Sequence, residues 1–197
     1  PFDMSELEQN LITYIQPTKK GGRGFSYLQF TDSDSYKETQ LLFGASTRVS
    51  QNLCLGINLK QMGLRIDGYG EASKLGIDAG GLYEISPKIK IGLAGFNLNH
   101  PLDAEKSYNV GLCIRPILNL LIAIDLEKTE RFNSEIKIGQ EFWITNNLCL
   151  RAGLKKHTVT QPALGLGILT GTIEFDYSCV FHPDLGATHL YSFTMWF

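Results

Sequence analysis

Residues 53–60 read LCLGINLK, in which every odd-numbered residue is Leu or Ile and the residues between them are small or polar. Successive side chains of a β-strand point to opposite faces of a sheet, so this period of two predicts a strand with one apolar face. The same alternation returns in residues 75–84, 89–94, 108–115, 118–127, 135–144, 148–155, 164–168, 173–181 and 189–197. Weaker candidates at residues 11–16, 25–31 and 39–49 bring the expected total to about thirteen strands.

Composition excludes several classes of function. The 197 residues carry a net charge of −2 with 19% charged residues, so the chain lacks the basic surface that binds nucleic acid. No apolar run approaches the roughly 18 residues of a membrane-spanning helix. The four cysteines, Cys54, Cys113, Cys149 and Cys179, are scattered without a C-x-x-C pair, which favours packing roles over a zinc or redox site.

Alternating strands are typical of two kinds of protein, soluble β-sandwiches or lipocalin-like barrels and membrane β-barrels. The polar faces here consist mainly of Gly and charged residues, whereas the apolar faces are rich in Leu and Ile and carry aromatic residues near strand ends. Membrane barrels have such aromatic girdles, and their strands are about ten residues long. The aromatic residues in question are Tyr83, Tyr108, Phe142, Tyr177 and Phe197. The pattern therefore predicts an up-and-down antiparallel transmembrane β-barrel.

The connections between strands favour the same fold, because short turns alternate with longer polar loops as in outer-membrane barrels. The expected short turns are residues 50–52, 86–88, 115–117, 145–147 and 169–171. The expected longer loops are residues 68–73, 99–106, 128–131, 156–161 and 183–188. A sandwich with Greek-key crossings has no reason to produce this alternation.

Both ends of the chain bear on how the barrel closes. The last strand ends with Tyr191, Phe193, Met195 and Phe197 in alternate positions, which resembles the C-terminal signal that barrel-insertion machinery reads. The first residues, 1–4, show neither an initiator Met nor a signal peptide, so we expect a processed or truncated start. Single-chain bacterial barrels have an even number of strands. We therefore expect one domain over residues 1–197 with 12–14 strands. If the complete barrel has fourteen strands, we expect an N-terminal strand or hatch segment upstream.

Charged residues on the inward faces are expected to meet across neighbouring strands near the turns. The turn near residue 146 places Glu141 opposite Arg151, and the turn near residue 87 places Glu84 opposite Lys90. The predicted lumen charge network comprises Glu84, Lys90, Arg115, Glu141, Arg151, Glu174 and Asp176. One interpretation is functional, with the network as a constriction or as the contact site of a plug. The other is structural, with ion pairs that allow a barrel with a hydrated interior to fold.

Glycines are frequent in the same inward rows, at positions 56, 76, 80, 92, 111, 139, 153, 165 and 167. A missing side chain makes room where another segment approaches the wall, and it also eases curvature of the sheet. Both interpretations stay open from the sequence alone.

Several stretches are similar to FadL/PorV-like outer-membrane proteins. They are residues 55–60, 76–101 (GIDAGGLYEISPKIKIGLAGFNLNHP), 115–128 (RPILNLLIAIDLEK), 141–154 (EFWITNNLCLRAGL) and 182–197 (HPDLGATHLYSFTMWF), within a resemblance over residues 37–197. The resemblance implies a fourteen-stranded barrel. Some members of this family move hydrophobic compounds, such as long-chain fatty acids, through a lateral opening, and others belong to secretion or surface-attachment machinery. The family's N-terminal hatch, with its Asn-Pro-Ala stretch, has no counterpart in this sequence.

Function is predicted in two versions from these observations. The first is a scaffold or anchor in an assembly of the bacterial cell envelope, and the alternative is passive transport of hydrophobic or small solutes across the outer membrane. The expected partners are outer-membrane lipids, the barrel-insertion machinery and other envelope proteins. The four histidines, His100, His157, His182 and His189, are sparse and lack metal-ligand spacing, although Asp103 and Asp184 lie close to two of them in sequence. We therefore expect no enzyme activity, no cofactor and no metal.

Overall fold

A computed structural model describes residues 7–32 and 35–196, and these form one antiparallel sheet of thirteen strands in sequential order. The strands are β1 (Leu7–Thr18), β2 (Gly21–Asp32), β3 (Tyr36–Arg48), β4 (Leu53–Ile66), β5 (Gly70–Ser86), β6 (Ile89–Phe96), β7 (Ser107–Ile117), β8 (Leu120–Thr129), β9 (Glu135–Trp143), β10 (Leu148–Lys156), β11 (Thr160–Thr170), β12 (Ile173–His182) and β13 (Gly186–Met195). A short 3-10 turn at Pro101–Asp103 is the one helical element in this part of the chain, and no helix there is long and apolar enough to cross a membrane.

The apolar rows of the strands face outward. On β4, Leu55, Ile57 and Leu59 are each about half exposed, at 45%, 51% and 53%, whereas Lys60 in the intervening row is 5% exposed. A sheet whose charged row is covered and whose apolar row is open must curve around the charged row. The chain therefore forms an up-and-down transmembrane β-barrel, and the soluble alternative with an apolar interior is excluded.

The connections lie at two ends of the barrel. The turn end carries residues 19–20, 49–52, 87–88, 118–119, 144–147 and 171–172, and among the described residues the loop end carries residues 35, 67–69, 97–106, 130–134, 157–159 and 183–185. The predicted alternation of short and long connections is less strict than expected, because β4 and β5 pair out to Ile66 and Gly70. Gly68 and Gly70 supply the positive φ values of 77° and 97° that this tight hairpin requires.

The turn predicted at residues 115–117 is displaced to residues 118–119. Pro116 has no backbone N–H to donate, and the register jumps around it from Ile114 paired with Ile122 to Ile117 paired with Leu120. Proline within a sheet is confined to edges and bulges, so the irregularity accommodates it inside β7. Leu118, expected to begin the next strand, is instead a turn residue that is 98% exposed.

Strands β5 and β6 differ in length, and the difference determines where the next loop lies. β6 pairs with residues 79–86 of β5, which leaves the loop-end half of β5 without a strand neighbour on that side. The loop 97–106 occupies this position, since the Leu98 N–H donates to the Ile77 carbonyl at 2.9 Å. The Asn99 amide donates to the Leu75 carbonyl at 2.8 Å and accepts the Ile77 N–H at 2.9 Å. Backbone groups at a barrel wall must be satisfied, and the loop does this here.

The first and last strands run in the same direction, from the loop end to the turn end. Within the described ranges, β1 pairs with β2 and β13 pairs with β12, so the ring is open between β1 and β13. Antiparallel closure of such a ring takes one additional strand, and the strand expected upstream stays a prediction. Phe197 of the predicted C-terminal signal lies outside the described residues.

Candidate functional site

The candidate site is the concave wall, defined as the inward-facing rows of β1–β13. Adjacent strands place their inward residues side by side in the observed registers, so charged side chains that are distant in sequence become neighbours. The rows on β7–β12 carry most of the charged clusters, while the rows on β1–β6 surround an apolar cavity. The two halves are described in turn.

Arg151 on β10 holds three carboxylates in what we call the carboxylate cluster. Its Nε lies 2.9 Å from Glu141 Oε2 on β9, and its Nη2 lies 3.3 Å from Glu174 Oε1 on β12. Its Nη1 donates to Asp176, also on β12. The indole of Trp143 donates to the second oxygen of Glu141 at 2.8 Å. The planar guanidinium suits this role because its donors point in several fixed directions.

A glycine makes the contact between Arg151 and β12 possible. β11 lies between β10 and β12, and Gly167 of β11 is the residue directly beside Asp176. A Cβ at position 167 would lie 3.1 Å from Arg151 Nη1 and 2.8 Å from Asp176 Oδ1. The missing side chain therefore provides the space through which the guanidinium crosses β11, which assigns this glycine a local role beyond curvature.

A second charged cluster lies nearer the loop end and was not predicted from the sequence. Lys137 Nζ contacts Glu127 at 2.7 Å and Glu135 at 3.0 Å, and Lys155 contacts the other oxygen of Glu135 at 3.0 Å. Ser107 donates to Glu127 at 2.9 Å. These residues share the inward alternation of Glu141 and Arg151, so the same pattern contained the signal.

The remaining members of the predicted lumen charge network behave differently from one another. Glu84 and Lys90 are register partners on β5 and β6, and their charged atoms lie 3.3 Å apart. Arg115 lines a cavity at the turn end together with Glu141 and Trp143, but it lies within ion-pair distance of no carboxylate in the described part of the chain. The seven residues thus form one cluster around Arg151, one separate pair and one flanking arginine.

A buried ion pair stands apart from both charged clusters. Lys60 Nζ and Asp78 Oδ1 lie 2.6 Å apart on β4 and β5, with side chains only 6% and 5% exposed. Asp78 also accepts the backbone N–H of Asn97 at 2.9 Å, which ties it to the loop 97–106. Sequence analysis missed this pair because its burial depends on the loop that covers it.

An apolar cavity of about 460 Å³ lies against the inward rows of β1–β6. Its inward lining includes the glycines 22, 24, 44, 56 and 80 and the side chains of Ile15, Leu42, Cys54, Leu82, Ala94 and Phe96. A few polar groups reach it, among them Asn58 and Asp78. Gly56 and Gly80, two of the glycines predicted to face inward, thus leave open volume here.

A groove of about 560 Å³ lies on the outward, lipid-facing side of the same wall. It is lined by apolar residues of β4–β7, including Leu53, Leu93 and Val110. The groove and the apolar cavity share Leu55, Ala79, Gly80, Gly81 and Ala94. Small residues of β5 and β6 are therefore all that separates the two spaces at this point.

The C-terminal strand carries its predicted signal residues in the outward row. Phe193 contacts Phe175 of β12 with ring centroids 5.1 Å apart, and Tyr191 contacts Tyr177 at 5.3 Å. Met195 continues the row and is about half exposed. These side chains form an aromatic surface toward lipid at one edge of the sheet.

The histidines are dispersed. His189 accepts or donates a hydrogen bond with Tyr177 at 2.8 Å in the outward row, and His100 lies 3.6 Å from Glu130 between two loops. Across residues 7–32 and 35–196, no three His, Cys, Asp or Glu side chains group in a way that would hold a metal ion.

Several solved structures share this architecture. The chain superposes on the CymD monoaromatic hydrocarbon channel with a TM-score of 0.63 at 10% identity, over 97% of this chain and 86% of that one. It superposes on a FadL homologue of Pseudomonas aeruginosa with a TM-score of 0.66 at 11% identity, over 95% and 75% of the two chains. The fold is that of a FadL-like outer-membrane β-barrel.

The chain is also similar to a mutant of the Rh. blastica porin, with a TM-score of 0.54 at 7% identity over 95% of this chain and 89% of that one. No protein-family model matches the sequence, and no curated protein matches it significantly. The likeness is therefore one of fold.

Proposed function

We propose that this FadL-like barrel is a passive channel for hydrophobic or small solutes in the bacterial outer membrane. The observation that carries the proposal is the apolar cavity of about 460 Å³ on the concave wall. Pockets that bind small molecules are concave, mostly apolar and roughly 300–1,000 Å³ in volume, with a few polar groups that orient the ligand. The cavity between β1 and β6 meets this description.

The opposite half of the wall suits a hydrated path. The carboxylate cluster around Arg151 and the cluster around Lys137 pair most of their charges, which keeps a polar surface compatible with a stable fold. Water and small polar solutes pass along such a surface, and hydrophobic molecules pass along the apolar half.

The groove on the lipid-facing side supports an exit toward the membrane for hydrophobic molecules. It lies directly behind the apolar cavity, and Gly80 and Gly81 line both spaces. Backbone without side chains gives the thinnest possible wall, so a small displacement of β5 from β6 connects the two. A hydrophobic solute would then enter lipid without crossing the hydrated turn end.

The scaffold interpretation has no comparable support. A scaffold is expected to have an occluded lumen and an extensive surface for other chains, whereas open cavities lie on both sides of the β4–β6 wall. The similar structures are a hydrocarbon channel, a FadL homologue and a porin. We therefore prefer transport and propose that the chain is not an enzyme.

Reconstitution into liposomes tests the proposal directly. Proteoliposomes should swell in solutions of small sugars and amino acids faster than protein-free liposomes, and cells that carry the barrel should take up small aromatic hydrocarbons faster than cells without it. Mass spectrometry of the protein purified from native membranes should find acyl chains or other apolar molecules. A stoichiometric protein partner together with the absence of flux would overturn the proposal in favour of the scaffold.

A further inference from the structure

The loop 97–106, called the inner loop below, lies over the concave wall. Pro101 is fully buried, and its Cγ lies 3.0 Å from the position that a Cβ at Gly76 would occupy. Gly76 belongs to the inward row of β5 together with Asp78, and it is the register partner of Lys60 on β4. The loop therefore turns into the barrel, and the glycine at 76 makes room for it.

Polar contacts hold the inner loop at this position. The Lys60–Asp78 pair at 2.6 Å lies beneath the loop, and the Asn97 N–H donates to the same Asp78 oxygen at 2.9 Å. The Asn97 amide donates to the Glu105 carbonyl at 3.0 Å, which closes the base of the loop. Arg131 contacts Glu105 at 3.0 Å and joins the loop to its neighbour at the loop end.

The far side of the inner loop reaches another part of the wall. Leu102 and Ala104 enclose a cavity of about 190 Å³ with the inward side chains of two strands, Leu28 and Phe30 of β2 and Met62 and Leu64 of β4. Asp78 and Phe96, next to the base of the loop, also line the larger apolar cavity. The inner loop thus spans the wall at the loop-end margin of that cavity.

The backbone of the inner loop is held in conformations that are unfavourable for its residues. Asn97, His100, Leu102 and Asp103 have φ values of 55°, 49°, 51° and 58°, and none of them is glycine. The side-chain oxygen of Asn97 is buried without a hydrogen-bond partner among the described residues. Such strain persists when surrounding contacts impose it, and it is often found where a segment has a functional position to keep.

We propose that the inner loop is the size-selecting element of the channel. It narrows the loop-end entrance to the apolar cavity, so slim apolar molecules and small solutes pass and bulky hydrated solutes do not. Asp78 positions the loop by accepting from Asn97 while Lys60 neutralises its charge. The inference rests on the proposed transport function, because a size limit has meaning only if solutes pass.

Two variants test the inference by different routes. Pro101→Gly with Leu102→Ser removes the contacts that these two side chains make with the wall and leaves every strand unchanged. Lys60→Met with Asp78→Asn removes the acceptor charge together with its partner, so no unpaired charge is left buried. The matched control is Glu71→Gln, which breaks an exposed pair with Arg65 at the tip of the β4–β5 hairpin, away from the inner loop. Heat-modifiable migration in detergent gels verifies that each variant folds.

The measurement is the swelling rate of proteoliposomes in a series of saccharides of rising size. Pore diameter controls which solutes pass, so both loop variants should raise the rate for trisaccharide relative to monosaccharide by about threefold or more, with the control unchanged. A second readout is the thiol of Cys54, which lines the apolar cavity. In a Cys113→Ser background, it should react faster with a bulky maleimide when the loop contacts are removed.

The outcomes separate the inference from the function on which it rests. The inference is overturned, and the transport function is not, if the native protein conducts solutes while both variants keep the native size limit. The reaction rate of Cys54 with the maleimide would then also be unchanged. Saccharide flux that appears only in the loop variants supports the narrowing role of the loop and overturns the passage of small polar solutes through the native protein. Absence of saccharide flux in every variant, together with absence of aromatic-hydrocarbon uptake, overturns the transport function and the inference together.

Discussion

Arg151 reaches Asp176 across an intervening strand, directly over Gly167. The guanidinium belongs to β10 and the carboxylate to β12, so the two residues are not register partners on adjacent strands. The contact is possible because the inward residue of β11 between them is a glycine. The ion pair between Arg151 and Asp176 therefore depends on the missing side chain at Gly167.

Gly167→Ala should destabilise the barrel. The new Cβ would come within 3.1 Å of Arg151 Nη1 and 2.8 Å of Asp176 Oδ1, so the pair must separate. Hydrogen bonds between charged groups contribute about 1.5–3 kcal/mol, and we expect a loss of this order in urea unfolding from lipid vesicles. Gly139→Ala is the matched control, because its Cβ would meet nothing closer than 3.9 Å. Equal losses in the two variants would contradict the role assigned to Gly167.

Arg151→Met should destabilise the barrel most at neutral pH. It leaves Glu141, Glu174 and Asp176 close together without their shared cation. Their mutual repulsion disappears as they become protonated, so the deficit in unfolding free energy relative to the native protein should shrink as the pH falls. Lys155→Met serves as the control, since Glu135 keeps its contact with Lys137 at 3.0 Å. A deficit that does not change with pH would show that packing, not charge, is lost.

Gly56→Leu should fill part of the apolar cavity and slow hydrophobic solutes selectively. A Cβ at position 56 meets its nearest atom at 3.5 Å, an ordinary contact, so a side chain can begin there without displacing the wall and extend into the cavity that Gly56 lines. Uptake of small aromatic hydrocarbons should fall about tenfold, the effect of roughly 1.4 kcal/mol on a rate. Gly139→Leu on the opposite half of the wall should leave uptake unchanged. The proposal fails if both variants transport hydrocarbons at the native rate.

Phe193→Ala should reduce the amount of barrel assembled in membranes. The residue belongs to the outward row that resembles an insertion signal, and its ring packs on Phe175 at 5.1 Å. Loss of one aromatic pair costs about 0.5–1.5 kcal/mol, so refolding of the purified variant into detergent should remain efficient. Ser192→Ala in the inward row is the control. If refolding in detergent fails to the same extent as assembly in cells, Phe193 acts through stability and not through recognition.

Much of the fold follows from local pattern. The alternation at residues 53–60 predicted β4 and its orientation, because the period of two depends only on neighbouring residues. The pairing of Glu141 with Arg151 also followed, since a tight turn sets the register of the hairpin it closes. The inward alternation also placed Lys137 and Glu127 on one face, but no tight turn sets the register between β8 and β9, which residues 130–134 connect.

Other features depend on contacts between distant segments. The position of the inner loop is set by Pro101 against Gly76 and by Asp78 beneath Asn97, and no local pattern relates these residues. The displaced turn after β7 has a local cause, because Pro116 looks like a turn residue in sequence while a bulge admits it into the strand. The reach of Arg151 over Gly167 likewise needs three strands in register.

The most direct test concerns which row faces lipid. Single cysteines are introduced at positions 55 to 59 of β4, and each carries a fluorescent label. The measurement is the quenching of each label by brominated lipids and by a water-soluble quencher. Labels at Leu55, Ile57 and Leu59 should be quenched by lipid, and labels at Gly56 and Asn58 by the aqueous reagent. Lipid quenching at positions 56 and 58 with protection at 55, 57 and 59 would contradict the barrel and every role assigned to its concave wall.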